Sequence, residues 1–131
     1  MMRHTAKLLA GIMMTFAAHA DVVVIGNLAA ATLTKDEVAQ VYRGKNQALK
    51  PLDRSNSQPI KAQFYEKLSG QDLAQVRATW IRLVFTGKAL APRELADAAA
   101  VKQAVAADPK AIGYIDRSEL DSTVKVILVL N

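Results

Sequence analysis

The residues of this chain best suited to chemistry lie between positions 54 and 61. Arg54, Ser55, Asn56 and Ser57 run into Gln58 and Pro59, and Lys61 follows within the next turn. An arginine can hold a tetrahedral or carboxylate anion with two parallel donors. Pro59 suits the first turn of a helix, and a helix N-terminus offers unpaired N–H groups and the positive end of a dipole. The stretch therefore reads as a loop that could hold phosphate, sulfate or an acidic side chain. Asn27, just after the first apolar run, is a candidate to converge on it, because ligands of α/β proteins sit at the carboxyl ends of strands. A plainer reading uses the same residues. Ser57 is then an N-cap worth about 1 kcal/mol, and Arg54 pairs with Asp53 or another acid. A third reading makes the loop a protein contact.

Other chemistries are excluded by residue type. Residues 1–20 read as a cleaved secretory signal peptide. Arg3 and Lys7 supply its charge, Leu8 to Ala18 its apolar run, and Ala18-His19-Ala20 its small-residue cut site. The apolar run is shorter than the roughly 20 residues a membrane span needs. Both histidines (His4 and His19) and all four methionines lie in this leader, and the chain has no cysteine. Residues 21–131 thus lack the usual ligands for zinc, copper or haem. They also lack the base of a Ser-His-Asp or Cys-His nucleophile, and no disulfide can form. The expectation is a periplasmic binding module, not an enzyme, with no cofactor and no membrane insertion of the mature chain. The net charge of +5 falls once Arg3 and Lys7 leave. The remaining basic residues are scattered and aromatics are few, which argues against nucleic acid as a partner.

The elements that must position the loop are legible from pattern. Asp21 to Ile25 is a β-branched run expected to form a buried strand. Thr34 and Glu37 form a capping box ahead of a helix with Val38, Val41 and Tyr42 on one side, stopped at Gly44. Ala48 to Asp53 reads as extended, and Pro51 favours a sheet edge. Ile60, Phe64 and Leu68 recur every four residues, so the helix from Pro59 buries one face. A third helix, capped near Asp72, carries a stripe of Leu73, Val76, Trp80, Leu83 and Val84. Pro92 to Asp97 reads as a loop or short helix, and a helix built on Val101 and Val105 follows. Ala111 to Ile115 is a short strand whose Gly113 reads as a packing glycine. Val124 to Leu130 is an apolar run expected to be a central strand buried on both faces. Tyr42 and Tyr65 are expected to be half-buried with their hydroxyls at the surface. Asp116, Glu119 and Asp121 fit no calcium or hydrolase spacing and read as a solvated turn. The sum is one α/β domain with a mixed sheet flanked by helices.

Four stretches, in this order, carry a resemblance. They are Leu33 to Lys45, Arg54 to Phe64, Trp80 with Thr86-Gly87-Lys88, and Ala111-Ile112-Gly113-Tyr114-Ile115. With them the chain resembles the phosphate-binding periplasmic proteins that feed ABC transporters, the class II binding proteins. The resemblance implies a single lobe of a class II periplasmic-binding-protein-like fold, since two-lobed members are about twice as long. It implies phosphate or a similar oxyanion as ligand and a membrane transporter or sensor as partner. The family's anion loop reads roughly Arg-x-x-Gly-Ser-Gly-Thr-Arg-x-x-Phe. Arg54 and Phe64 match it and Lys61 stands for the second arginine, but Ser57, Gln58, Pro59 and Ile60 replace Gly-Ser-Gly-Thr. The alternative is a protein-interaction module derived from such a lobe that has lost its ligand.

Overall fold

The computed structural model describes residues 21–131. The expected signal peptide, residues 1–20, lies outside the described residues. Strand β1 (Val22–Gly26) is the β-branched run, and all five of its residues are buried. It lies inside a five-stranded sheet of order β3-β2-β4-β1-β5. Its neighbours are β4 (Ala111–Asp116) and β5 (Lys125–Leu130), both antiparallel to it. Strand β2 (Lys50–Arg54) runs parallel to β4 and to the three-residue β3 (Arg93–Leu95). The sheet is therefore mixed, as expected.

The period-2 alternation of strands divides the core between two faces. Val22, Val24, Ile112 and Tyr114 point to one face, where helices α1 (Lys35–Tyr42), α2 (Pro59–Ser69) and α3 (Leu73–Phe85) contribute Val38, Tyr42, Phe64, Tyr65 and Trp80. Val23, Ile25 and Ile115 point to the other, covered by α4 (Ala98–Ala107) through Val101 and Val105. Capping follows the sequence closely. The Thr34 hydroxyl accepts from the Glu37 N–H at 3.1 Å, and Glu37 accepts from the Thr34 N–H at 2.8 Å. Asp72 and Gln75 repeat the box on α3, and Asp97 caps α4. Gly44 and Gly70 end α1 and α2 at positive φ, where a side chain would be strained.

Four expectations are corrected. Strand β5 is an edge strand and only partly buried; its apolar run reflects cover on both faces rather than a central place. Strand β2 is internal despite Pro51, because β3 pairs with it only from Leu52 onward, so the missing N–H costs no bond to β3. The segment after Pro92 is strand β3, too short to show a pattern. Tyr42 and Tyr65 are fully buried, with hydroxyls bonded inside the protein.

Gly113 is a packing glycine. A Cβ there would come within 2.5 Å of Val101 Cγ1 on α4. Gly113→Ala is expected to destabilise the protein by about 1–3 kcal/mol, the usual cost of overpacking. Val101→Ala in the same chain should relieve part of that cost, so the double variant will be less damaged than the two single losses predict. Urea unfolding of the four proteins checks this, and strict additivity would contradict the contact.

Candidate functional site

The alternation that sends Leu52 toward α4 sends Asp53 toward α2, so a carboxylate occupies a core-facing position of β2. Asp53 is 4% exposed. It accepts from the Arg54 N–H at 2.8 Å, from the Tyr65 hydroxyl at 2.6 Å and from the Tyr114 hydroxyl. Lys61, 7% exposed, lies 4.0 Å from Asp53 and donates to Glu94 at 3.1 Å. The Tyr42 hydroxyl donates to the Leu52 carbonyl at 2.8 Å. Around this cluster the rings pack tightly: Phe64 stacks on Tyr114 at 3.8 Å, and Tyr42 meets Phe64 edge-on at 4.8 Å. Burial pushes the Tyr42, Tyr65 and Tyr114 hydroxyls well above the ordinary tyrosine range, and the Asp53 charge pushes each in the same direction. Tyr65 and Tyr114 thus remain neutral donors to the buried Asp53 carboxyl group, and Tyr42 to the Leu52 carbonyl, so the buried polar groups have partners.

The loop at the carboxyl end of β2 is held from beneath. Arg54 is 8% exposed; its Nε donates to Gln58 Oε1 at 2.6 Å and its Nη1 to the Tyr114 carbonyl at 3.2 Å. Gln58 in turn donates to Ser55 Oγ at 3.1 Å and to the Leu95 carbonyl at 3.2 Å. Ser55 and Ser57 share a hydroxyl hydrogen bond of 2.9 Å. Ser57 is not the N-cap of α2. Gln58 holds that position, and its side chain makes no capping bond. The N–H groups of Asn56, Ser57 and Ile60 have no acceptor among the described residues.

The six candidate ligands do not all meet. Arg54, Ser55, Asn56 and Ser57 form one loop. Lys61 lies behind it, committed to Glu94 and Asp53. Asn27 is at the opposite end of the strands, because β1 runs antiparallel to β4 and β2 runs parallel to it. Its amide donates to the Val105 and Ala106 carbonyls at 3.1 and 2.9 Å and so caps the end of α4. Among the described residues Arg54 pairs with neither Asp53 nor another acid through its guanidinium. Asp116 caps a short turn through the Ser118 N–H, and Asp121 accepts from Thr123 and Lys102, so these acids serve the turn before β5. Sequence reasoning missed Asp53, Tyr65, Tyr114 and Glu94 as one cluster. A trace of it existed in Tyr114, two residues after Ile112 and hence on the same face, but Glu94 sits on a strand with no pattern.

Beside the loop a groove of about 550 Å³ runs between α3 and the segment Ala91 to Glu94. Asp53, Asn56, Lys61 and Arg77 line its polar part, and Leu73, Val76, Trp80 and Ile81 its apolar wall. The Trp80 Nε1 is buried with no hydrogen-bond partner among the described residues. The stripe expected to bury α3 does so only in part: Val76 and Trp80 are buried, whereas Val84 is exposed. No helix among the described residues is long and apolar enough to cross a membrane.

No family model matches the chain, and no curated protein matches it. Solved structures do. An ABC-type phosphate transport receptor from Vibrio cholerae superposes with a TM-score of 0.63 at 16% identity, over 82% of this chain and 46% of that one. A putative phosphate ABC transporter substrate-binding protein from Clostridium perfringens, solved with bound phosphate, gives 0.62 at 17% identity, over 82% and 44%. This chain spans less than half the length of either. Its fold is that of one lobe of a class II periplasmic-binding-protein-like architecture, an α/β mixed sheet flanked by helices.

Proposed function

We propose that this chain is an exported, binding-protein-like module of a transport or sensing system, located in the periplasm, with phosphate or a similar oxyanion as its ligand. The observation that carries the reading is the loop before α2. Three backbone N–H groups there, those of Asn56, Ser57 and Ile60, have no acceptor among the described residues. No side chain caps the helix end beside them, and the Arg54 guanidinium makes no hydrogen bond through Nη2 to any described residue. Unpaired N–H groups at a helix start attract anions. The Clostridium perfringens neighbour is described with bound phosphate, which supports the same ligand class. The ligand set is Arg54, Ser55, Asn56 and Ser57. Lys61 supports the loop from below through Glu94, and Asn27 takes no part. A membrane transporter or sensor is the partner this reading implies, and no catalytic role is assigned.

Arg54→Ala is a poor test, because it would also strip the Tyr114 carbonyl and Gln58 of their partner. Ser57→Glu is better. Ser57 is exposed, and a carboxylate at a helix start is stabilising by a few tenths of a kcal/mol to about 1 kcal/mol at low salt. Phosphate at about 100 times its dissociation constant should add about 2.7 kcal/mol to stability, which is roughly 10 °C in thermal midpoint for a domain of this size. The expected result is that phosphate or sulfate raises the midpoint of the natural protein at matched ionic strength. The Ser57→Glu variant should start as stable and show no such rise. Equal midpoints with phosphate and chloride in the natural protein would refute the oxyanion assignment.

A further inference from the structure

We infer that the outer face of α3 and the groove beside it are a docking surface for an acidic amphipathic helix of another protein. The argument begins with the width of the apolar arc on α3. At 3.6 residues per turn, Leu83, Val76, Trp80, Val84, Ile81 and Phe85 spread over about 200° of the helix, interrupted by Arg77 between Val84 and Ile81, which is wider than one packed face requires. The domain buries Val76 and Trp80 and packs Leu83 partly against its core. Ile81 is 55% exposed, Val84 45%, Phe85 89%, and Leu90 in the following turn 88%. Exposed apolar residues grouped in this way around a concavity mark an interaction site. The groove runs alongside a helix of 13 residues, and a groove of that form suits a helix presenting apolar side chains at i, i+3, i+4 and i+7.

Charge selects the partner. Arg77 and Arg82 lie on the same helix and Lys88 in the turn after it. All three are exposed, and none forms an ion pair among the described residues. The acids at this surface are already matched: Glu94 binds Lys61, and Asp53 is buried beneath it. An apolar face that carries three unmatched cations calls for a partner whose apolar residues are accompanied by Asp and Glu. A second copy of this chain would set the same cations against themselves in an isologous pair, so it is disfavoured as the occupant. This inference does not depend on oxyanion binding at the neighbouring loop.

The test uses the purified protein and two labelled synthetic helices. Both carry leucine at i, i+3, i+4 and i+7; one carries glutamate on the flanking positions, the other lysine. Fluorescence polarisation should show the glutamate peptide binding, with affinity falling as salt rises, and the lysine peptide at least about tenfold weaker. Ile81→Ser with Phe85→Ser should weaken the glutamate peptide by at least about tenfold, with the thermal midpoint unchanged because both residues are exposed. Arg77→Glu with Arg82→Glu should reverse the preference. The inference is overturned if neither peptide binds or if both bind equally. It is also overturned if sedimentation shows a dimer that the Ile81 and Phe85 changes dissolve, or if phosphatidylglycerol vesicles bind through those residues while the glutamate peptide does not compete.

Discussion

Asp53→Asn will cost about 3–5 kcal/mol of stability, the range for removing one member of a buried charge pair. The loss has three sources. Lys61 remains 7% exposed with only the solvent-facing Glu94 as its counter-charge. The Tyr65 and Tyr114 hydroxyls lose a shared ionised acceptor, and hydrogen bonds to charged groups are worth more than neutral ones. The asparagine NH2 must also find an acceptor where two hydroxyl donors now point. Urea unfolding measures the effect, with an unchanged slope indicating the same folded state. Lys61→Met in the Asp53→Asn background removes the buried cation, so the double variant should be more stable than Asp53→Asn alone. A loss below about 1 kcal/mol for Asp53→Asn would mean the cluster is not held by its charge.

Alkaline pH should unfold the protein steeply. The chain has three tyrosines, Tyr42, Tyr65 and Tyr114, and all three are buried. Burial first, and the Asp53 charge second, raise each well above the ordinary value of 10.0. The folded state therefore keeps its tyrosine protons at pH values where the unfolded chain releases them. Their contribution to stability is complete below about pH 10 and is lost as pH rises above it toward the folded-state values. Each group contributes about 1.4 kcal/mol per pH unit in that window, so the three together lower stability by about 4 kcal/mol per unit. Because unfolding exposes all three at once, the tyrosinate absorbance should appear in one cooperative step coincident with loss of helical circular dichroism. A gradual tyrosinate signal near pH 10 in the folded protein would show that a hydroxyl reaches solvent.

Both effects arise from a cluster that the sequence hardly hinted at. Local rules accounted well for the helices. The Thr34–Glu37 capping box, the glycine stops at Gly44 and Gly70, and the four-residue spacing of Ile60, Phe64 and Leu68 depend on neighbours within one turn. The order of motifs also carried the fold resemblance, and the solved structures share that fold. Strand placement was harder. Pro51 suggested an edge and the run from Val124 to Leu130 suggested a centre, and the sheet reverses both. Strand order depends on partners far along the chain, such as the register of Val22 with both Asp116 and Leu130.

The candidate site divides in the same way. The loop from Arg54 to Ser57 before Pro59 was legible because a polar turn running into a helix start is a local feature. The rule for parallel strands puts Asn27 with it, but β1 is antiparallel to its neighbours and carries Asn27 to the far end of the sheet. Lys61 was read as a ligand, yet its partners Asp53 and Glu94 come from two parallel strands that only the sheet brings side by side. The apolar stripe on α3 was visible as a stripe, but the extent of its cover depended on how many elements pack against it. The amino-acid sequence by itself determined the α/β class, the helix ends, the absence of cysteine from the chain and of histidine from residues 21–131, and the polar turn before Pro59, because these follow from residue type and short-range spacing. Only the tertiary structure decided which charges are buried together, which helix face remains open and at which end of the sheet each polar residue emerges. Those depend on strand direction and register, and contacts between distant segments set both.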